Sequence, residues 1–127
     1  MDSGNTGNPR LDISTRTEDG ITIAELAGEL GIASAPALRE ELLSLLRSGS
    51  SRLFIELSKV SLCDASALAV LVGISRQARL LGGFLRLVAV SPQAGQVLHG
   101  TGLHRHLPIS PLSTRPQPVP ATPGTAR

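Results

Sequence analysis

Aromatic side chains are almost absent from this sequence, which has two Phe and neither Trp nor Tyr among its 127 residues. Surfaces that stack nucleic-acid bases, enclose quaternary ammonium groups or hold sugars depend on flat rings. The composition therefore argues against these three kinds of binding site. Hydrophobic residues still make up 41% of the chain, so a single core can be built from Leu, Ile, Val and Ala.

The body of the chain also has no excess of charge of either sign. Acidic and basic residues balance between residues 11 and 110, and the formal net charge of +2 arises from Arg115 and Arg127. Binding to a phosphate backbone needs a basic patch. We therefore expect no nucleic-acid partner for this part of the chain.

Cysteine occurs once, at Cys63, which excludes an internal disulfide framework and a zinc site made of cysteines. Cys63 is expected to be a small core residue, with a reactive thiol near a helix start as the alternative. The opening MDSGNTGNPR lacks the basic and then apolar pattern of a signal peptide. The longest uncharged apolar stretch, 65–75, is too short to span a bilayer. These features predict a cytoplasmic chain without membrane insertion.

The two ends of the chain differ in composition from its middle. Residues 1–10 are polar and rich in Gly and Asn, and residues 111–127 are dense in Pro, Thr and Ala without an apolar period. Such segments bury too little apolar surface to offset the entropy lost on ordering. We expect both ends to be disordered and residues 11–110 to form one domain.

Strand and helix signals alternate through this domain. The turn residues 18–20 separate two strand-like segments and predict a hairpin. The remaining predicted elements are a helix opened by Ser34 and Pro36 and ended by Gly49, a strand at 52–57, a helix at about 65–81, a strand at 84–90, a short helix opened by Ser91-Pro92 and closed by Gly100, and an optional edge strand at 106–109. The order ββαβαβα(β) predicts an α/β fold with a mixed sheet, opened by a β-hairpin, with helices packed on the sheet.

The second predicted helix has two distinct sides. Asp64 stands just before it and is expected to cap its first N–H groups. One side is apolar and should face the sheet: Leu68, Leu71, Ile74 or Ser75, and Ala78. A second stripe consists mainly of small residues: Ser66, Ala69, Val70, Gly73 and Gln77.

Two interpretations of the small-residue stripe remain open from the pattern alone. In one, the stripe allows another helix or strand of the same fold to pack closely, with Ser66 as a second cap. In the other, it is a face for docking a partner, with a modifiable Ser66 at its edge. Free N–H groups and the helix dipole would favour a phosphate there, and phosphorylation would change the charge of the face without unfolding the domain.

A series of short motifs runs through residues 11–110. They are Gly28-Glu29-Leu30-Gly31, Ser34-Ala35-Pro36, Ile55-Glu56-Leu57-Ser58, Asp64-Ala65-Ser66-Ala67-Leu68-Ala69-Val70-Leu71, Gly82-Gly83, Leu85-Arg86-Leu87-Val88, Ser91-Pro92 and Thr101-Gly102-Leu103. In these motifs and their order the sequence resembles the STAS domain family, and within it the single-domain anti-sigma factor antagonists of bacteria. The resemblance covers essentially the whole predicted domain.

The resemblance implies partner switching. The unphosphorylated antagonist would bind an anti-sigma factor, a serine-protein kinase, and so release a sigma factor; phosphorylation would abolish binding, and a phosphatase would reset it. Ser66 matches the phosphorylated position and Asp64 the acid that shapes the loop. The partner-binding positions implied by the resemblance and the stripe are Gly31, Ser66, Ala67, Ala69, Val70, Gly73 and Gln77. The chain would be a substrate and ligand rather than an enzyme, with neither cofactor nor metal.

The chain departs from the family pattern at four positions in these motifs. Ala65 replaces a hydroxyl residue, Ala67 and Ala69 replace glycines, and Gly31 replaces an acid. The acceptor serine therefore has a methyl group on each side. Because of these departures, the sequence supports partner binding more strongly than it supports regulation by phosphorylation.

Other functions have weaker support in the sequence. A STAS accessory protein that docks on the ATPase of an ABC-type transporter is the alternative from a different class. His104 and His106 could form a metal pair, but no third ligand is evident nearby. A hydrolase triad built on Ser66 lacks the Gly-x-Ser-x-Gly elbow, and no glycine-rich phosphate loop is present.

Overall fold

The computed structural model describes residues 11–109, and the expectations for residues 1–10 and 111–127 lie outside this range. Its elements follow the predicted order: β1 (Leu11–Glu18), β2 (Ile21–Leu30), α1 (Ala35–Arg47), β3 (Arg52–Cys63), α2 (Ala65–Leu80), β4 (Phe84–Val88), α3 (Pro92–Thr101) and a single 3-10 turn (Leu103–Arg105). None of the helices in these residues combines the length and the apolar character that a membrane crossing requires.

The sheet is mixed, as predicted. Its strand order is β1-β2-β3-β4; β1 and β2 are antiparallel, whereas β2 pairs with β3 and β3 with β4 in parallel. Asp19 and Gly20, with φ of 52° and 80°, make the tight turn of the hairpin. Because α1 and α2 connect the parallel strands, the start of each helix lies close to the carboxyl end of the strand before it.

One apolar cluster joins the sheet to all three helices. Leu53, Ile55 and Leu57 alternate along β3 and are fully buried, and Ile55 lies in register with Ala24 and Leu87 of its two neighbours. The helices contribute these members of the same cluster: Leu38, Leu42, Leu46, Leu68, Leu71, Ile74, Ala78, Ala94 and Leu98. The helices therefore cover the sheet face to which these strand residues point.

Two strands end at other residues than predicted, and one optional strand is absent from the described residues. β3 continues to Cys63 because it pairs with β2 across two register shifts, which accommodate polar residues that seemed to end the strand. β4 stops at Val88 because Ala89 has a φ of 53°. The optional strand at 106–109 is not formed; Ile109 makes one isolated bridge to Leu87.

Two helix ends are capped differently from prediction. Ser34 precedes α1, but its buried side chain does not cap the helix. Its Oγ accepts from the Gly31 N–H at 2.9 Å and donates to the Glu29 carbonyl oxygen at 2.9 Å, so it fastens the loop before the helix. At the other end of the domain, Gly102 in the left-handed conformation ends α3, rather than Gly100.

Candidate functional site

Asp64 connects two segments that are distant in sequence. Its Oδ1 accepts from the N–H groups of Ser66 at 2.9 Å and Ala67 at 3.3 Å, which confirms the predicted cap of α2. Its Oδ2 accepts from the Ile32 N–H at 3.1 Å. One carboxylate therefore holds the loop after β2 against the start of α2.

Gly31 lies directly against this carboxylate. A Cβ atom built at Gly31 would be 3.0 Å from Asp64 Oδ2, closer than most real Cβ contacts. Because residue 31 has no side chain, Asp64 can hold the Ile32 N–H without being displaced. The glycine that departs from the family pattern is thus compatible with the loop geometry of this chain.

The small-residue stripe of α2 lies at the surface. Ser66, Ala69, Gly73 and Gln77 are exposed and Val70 is half-buried, while the predicted sheet-facing side is buried. Within residues 11–109 no other element covers the stripe, so the interpretation that it packs inside the fold is wrong for this part of the chain.

The prediction that Ala67 is a partner-binding position is wrong. This alanine is fully buried in the apolar cluster. Its spacing to Leu71, Ile74 and Ala78 puts it on the sheet-facing side of α2. Its methyl group therefore packs in the core and is not available to a partner.

The stripe forms one wall of an open groove between α1 and α2. The groove has a volume of about 310 Å³ and is lined by Arg39 and Leu43 of α1 and by Ser66, Ala69, Val70, Gly73, Ile74 and Gln77 of α2. Sequence reasoning missed Arg39 and Leu43. Their i, i+4 spacing places them on one side of α1, but only the packing of the two helices shows that this side faces the stripe.

A second, smaller concavity adjoins Asp64. It has a volume of about 170 Å³ and is lined by Glu29, Gly31, Ile32, Ala33, Ser34, Leu62 and Asp64. Two of its apolar side chains are unusually accessible, Ile32 at 73% and Leu62 at 49% exposure. Sequence reasoning missed both, although an isoleucine in the turn after Gly31 was a visible signal.

The surroundings of the remaining candidate residues, Cys63 and His104, do not favour a reactive or metal-binding site. Cys63 is buried, and burial together with the neighbouring Asp64 carboxylate raises the pKa of its thiol to about 11, which disfavours a reactive thiolate. His104 stacks on His99 with ring centroids 4.2 Å apart. Within residues 11–109 no three His, Cys, Asp or Glu side chains are grouped closely enough to hold a metal ion.

Replacing Asp64 with Ala should destabilise the domain by about 1–2 kcal/mol, because the start of α2 and the Ile32 N–H lose their acceptor together. Urea unfolding measures this loss, and amide hydrogen exchange should quicken at Ile32 and Ser66. Glu40→Ala, at an exposed acid of α1, is the control and should stay within about 0.5 kcal/mol of wild type. Equal stability of the two variants would contradict the connecting role of Asp64.

Comparison with known proteins agrees with this arrangement of elements. A model of the STAS domain matches residues 12–114, which take in all the elements described above except Leu11, the first residue of β1. The chain belongs to the STAS domain family. This confirms the family inferred from the motifs, and the mixed sheet with three helices in the order ββαβαβα confirms the predicted fold.

Two curated relatives of this STAS domain carry the same name. The anti-sigma-B factor antagonist of Bacillus subtilis (strain 168) is 32% identical over 103 residues, which are 81% of this chain and 94% of the relative. The protein of that name from Staphylococcus aureus (strain NCTC 8325 / PS 47) is 29% identical over 93 residues, 73% of this chain and 86% of the relative.

The same fold occurs in a solved structure. The crystal structure of an anti-sigma factor antagonist from Mycobacterium paratuberculosis superimposes with a TM-score of 0.72 over 82% of this chain and 88% of that chain, at 24% sequence identity. At that identity the comparison establishes the shared fold.

Proposed function

We propose that this STAS domain is an anti-sigma factor antagonist, which binds an anti-sigma factor and thereby releases a sigma factor. The observation that carries the proposal is the placement of Ser66, exposed on the wall of an open groove in a chain of this family. The names of the two curated relatives support the same role. Such a role belongs in the cytoplasm.

The surface that would bind the anti-sigma factor has two kinds of side chain: small ones that allow close approach and exposed apolar ones that can anchor a partner. We call it the docking face and define it as Gly31, Ile32, Leu62, Ser66, Ala69, Val70, Gly73 and Gln77. Small side chains on α2 let a partner backbone come near the helix. The exposed side chains of Ile32 and Leu62 offer apolar surface that a partner can bury.

Phosphorylation of Ser66 would switch this face off. A serine-protein kinase, in our proposal the anti-sigma factor itself, transfers the γ-phosphoryl group of ATP to the Ser66 Oγ, which loses its proton, and ADP leaves. A phosphatase restores the serine by hydrolysis. The added phosphate brings about −1.5 to −2 charges to the docking face. Because Ser66 is exposed, the fold should persist.

The chain would be the substrate and ligand in this cycle, with the chemistry performed by its partners. The hydroxyl of Ser66 is presented by the first turn of α2, where Asp64 fixes the helix start. Both Asp64 oxygens already accept backbone hydrogen bonds. This supports a positioning role for Asp64 and leaves proton abstraction to the kinase.

Ser66→Asp should lower capture of the anti-sigma factor about tenfold or more, because it puts a negative charge on the docking face. The measurement is a pull-down from the native cells with identification by mass spectrometry, together with phosphate analysis of residue 66. Ser66→Ala should retain capture. Thermal unfolding midpoints of all variants should agree closely with wild type.

Ser58→Asp is the matched control, since Ser58 is an exposed serine of β3 that lines neither concavity. It should bind like wild type. Equal capture by wild type and Ser66→Asp would contradict the switch. An ABC-type ATPase as the specific partner, with no anti-sigma factor, would replace the proposed function with the transport alternative.

A further inference from the structure

Two of the N–H groups at the start of α2 already have an acceptor and are not free to hold a phosphate on Ser66. The N–H groups of Ser66 and Ala67 already donate to Asp64 Oδ1. The carboxylate of Asp64 would also repel a phosphate placed two residues along the chain. A phosphate on Ser66 would therefore compete with Asp64 for these two donors, and a counter-charge from elsewhere would favour the phosphorylated state.

Arg39 is positioned to supply that charge. It is the one charged residue among those that line the groove shared with Ser66. The residues three and four positions away on α1 carry no acid: Ala35, Pro36, Leu42 and Leu43. The ion pairs within residues 11–109 join Arg16 to Glu18 and Lys59 to Glu25, so neither engages Arg39.

The other arginines of α1 and α2 do not line the groove that contains Ser66. Arg47 lies in the last turn of α1, two turns beyond Arg39, and Arg76 and Arg79 lie on α2. All three are exposed, and none lines the groove. A guanidinium also matches phosphate geometry, because its parallel N–H groups can donate to two phosphate oxygens at once.

We propose that Arg39 binds the phosphate of phosphorylated Ser66 across the groove between α1 and α2. This inference rests on the proposed function and extends it to the phosphorylated state. Without phosphate, the groove carries the single positive charge of Arg39. With about −1.5 to −2 charges added, the net charge of the groove becomes negative, and the guanidinium is bound by a phosphate of the same chain. The anti-sigma factor would then meet a negatively charged groove in which the Arg39 guanidinium is already paired with the phosphate.

The test uses the full chain with phosphoserine installed at residue 66 during translation, so that no kinase is required. A ³¹P NMR titration measures the second pKa of the phosphate, about 6 for free phosphoserine. Pairing with Arg39 should hold it about 0.5 unit or more lower than in Arg39→Met, because a nearby cation favours the dianion and solvent weakens the effect. Arg39→Lys should restore part of the shift.

Arg47→Met is the matched control and should titrate like wild type. If Arg39→Met also titrates like wild type, or if Arg47→Met changes the pKa equally, Arg39 is not the phosphate ligand. Binding of the anti-sigma factor, measured on the same samples, separates the two proposals. Phosphorylated wild type that still binds would refute the switch and leave a measured Arg39 pairing intact. Loss of binding without an Arg39-dependent pKa would refute only the pairing.

Discussion

Gly83→Ala is expected to destabilise the domain by about 3 kcal/mol or more, and at moderate temperature to unfold it. A Cβ atom at this position would overlap the backbone carbonyl group of Ser51. The neighbouring Phe84 N–H donates to the oxygen of that carbonyl group at 2.8 Å, where β4 begins to pair with β3. The backbones cannot separate to admit a methyl group without loosening this pairing.

Gly82→Ala is the matched control for Gly83→Ala. Gly82 is the preceding residue and has a φ of 85°, but nothing lies within 4 Å of a Cβ atom built there. Its substitution should cost about 1 kcal/mol from backbone strain alone. Urea unfolding of both variants checks the difference. Similar losses of stability would show that the contact with Ser51 is easily relieved.

Gly73→Glu should weaken binding of the anti-sigma factor by about 100-fold or more while the domain stays folded. Gly73 is exposed on the docking face, and nothing lies within 4 Å of a Cβ atom built there. Replacing a helical glycine favours the helix by about 0.5 kcal/mol, so the unfolding midpoint should hold or rise. The loss of binding would come from a bulky charge that keeps the partner away from α2.

Two further variants isolate this effect. Gly73→Ala carries the gain in helix propensity without the charge and should bind more tightly than Gly73→Glu. Gly100→Glu makes the same substitution at an exposed glycine of α3 whose Cβ would also meet nothing within 4 Å. Titration calorimetry with the purified partner measures all three. Unchanged binding by Gly73→Glu, or equal loss in Gly100→Glu, would exclude α2 as the binding surface.

Local patterns in the sequence were sufficient to predict the order of the elements and the α2 wall of the groove. The alternation of strand and helix signals gave the order of the elements, and Asp64 and Ser91 capped the helices as expected. The helical period separated the buried side of α2 from the exposed stripe around Ser66 and Gly73. The same period places Ala67 on the buried side, with Leu71 and Ile74.

Contacts between distant segments could not be predicted in this way. Asp64 and Ile32 are 32 residues apart, and their hydrogen bond depends on where β2 and β3 end relative to each other. The approach of Gly83 to Ser51 depends on the pairing of β3 with β4. In each case the distance is set by strand register and loop path, which local propensity does not encode.

The fold class, the exposed stripe and the serine at its edge follow from the sequence alone, because hydrophobic period, capping and turn residues act over a few positions. Only in the folded chain do Arg39 and Leu43 complete the groove, and only there does Asp64 bind two of the N–H groups at the start of α2. Those outcomes arise from how α1 packs beside α2 and how the loop after β2 meets Asp64, and such contacts are fixed only when the whole core is assembled.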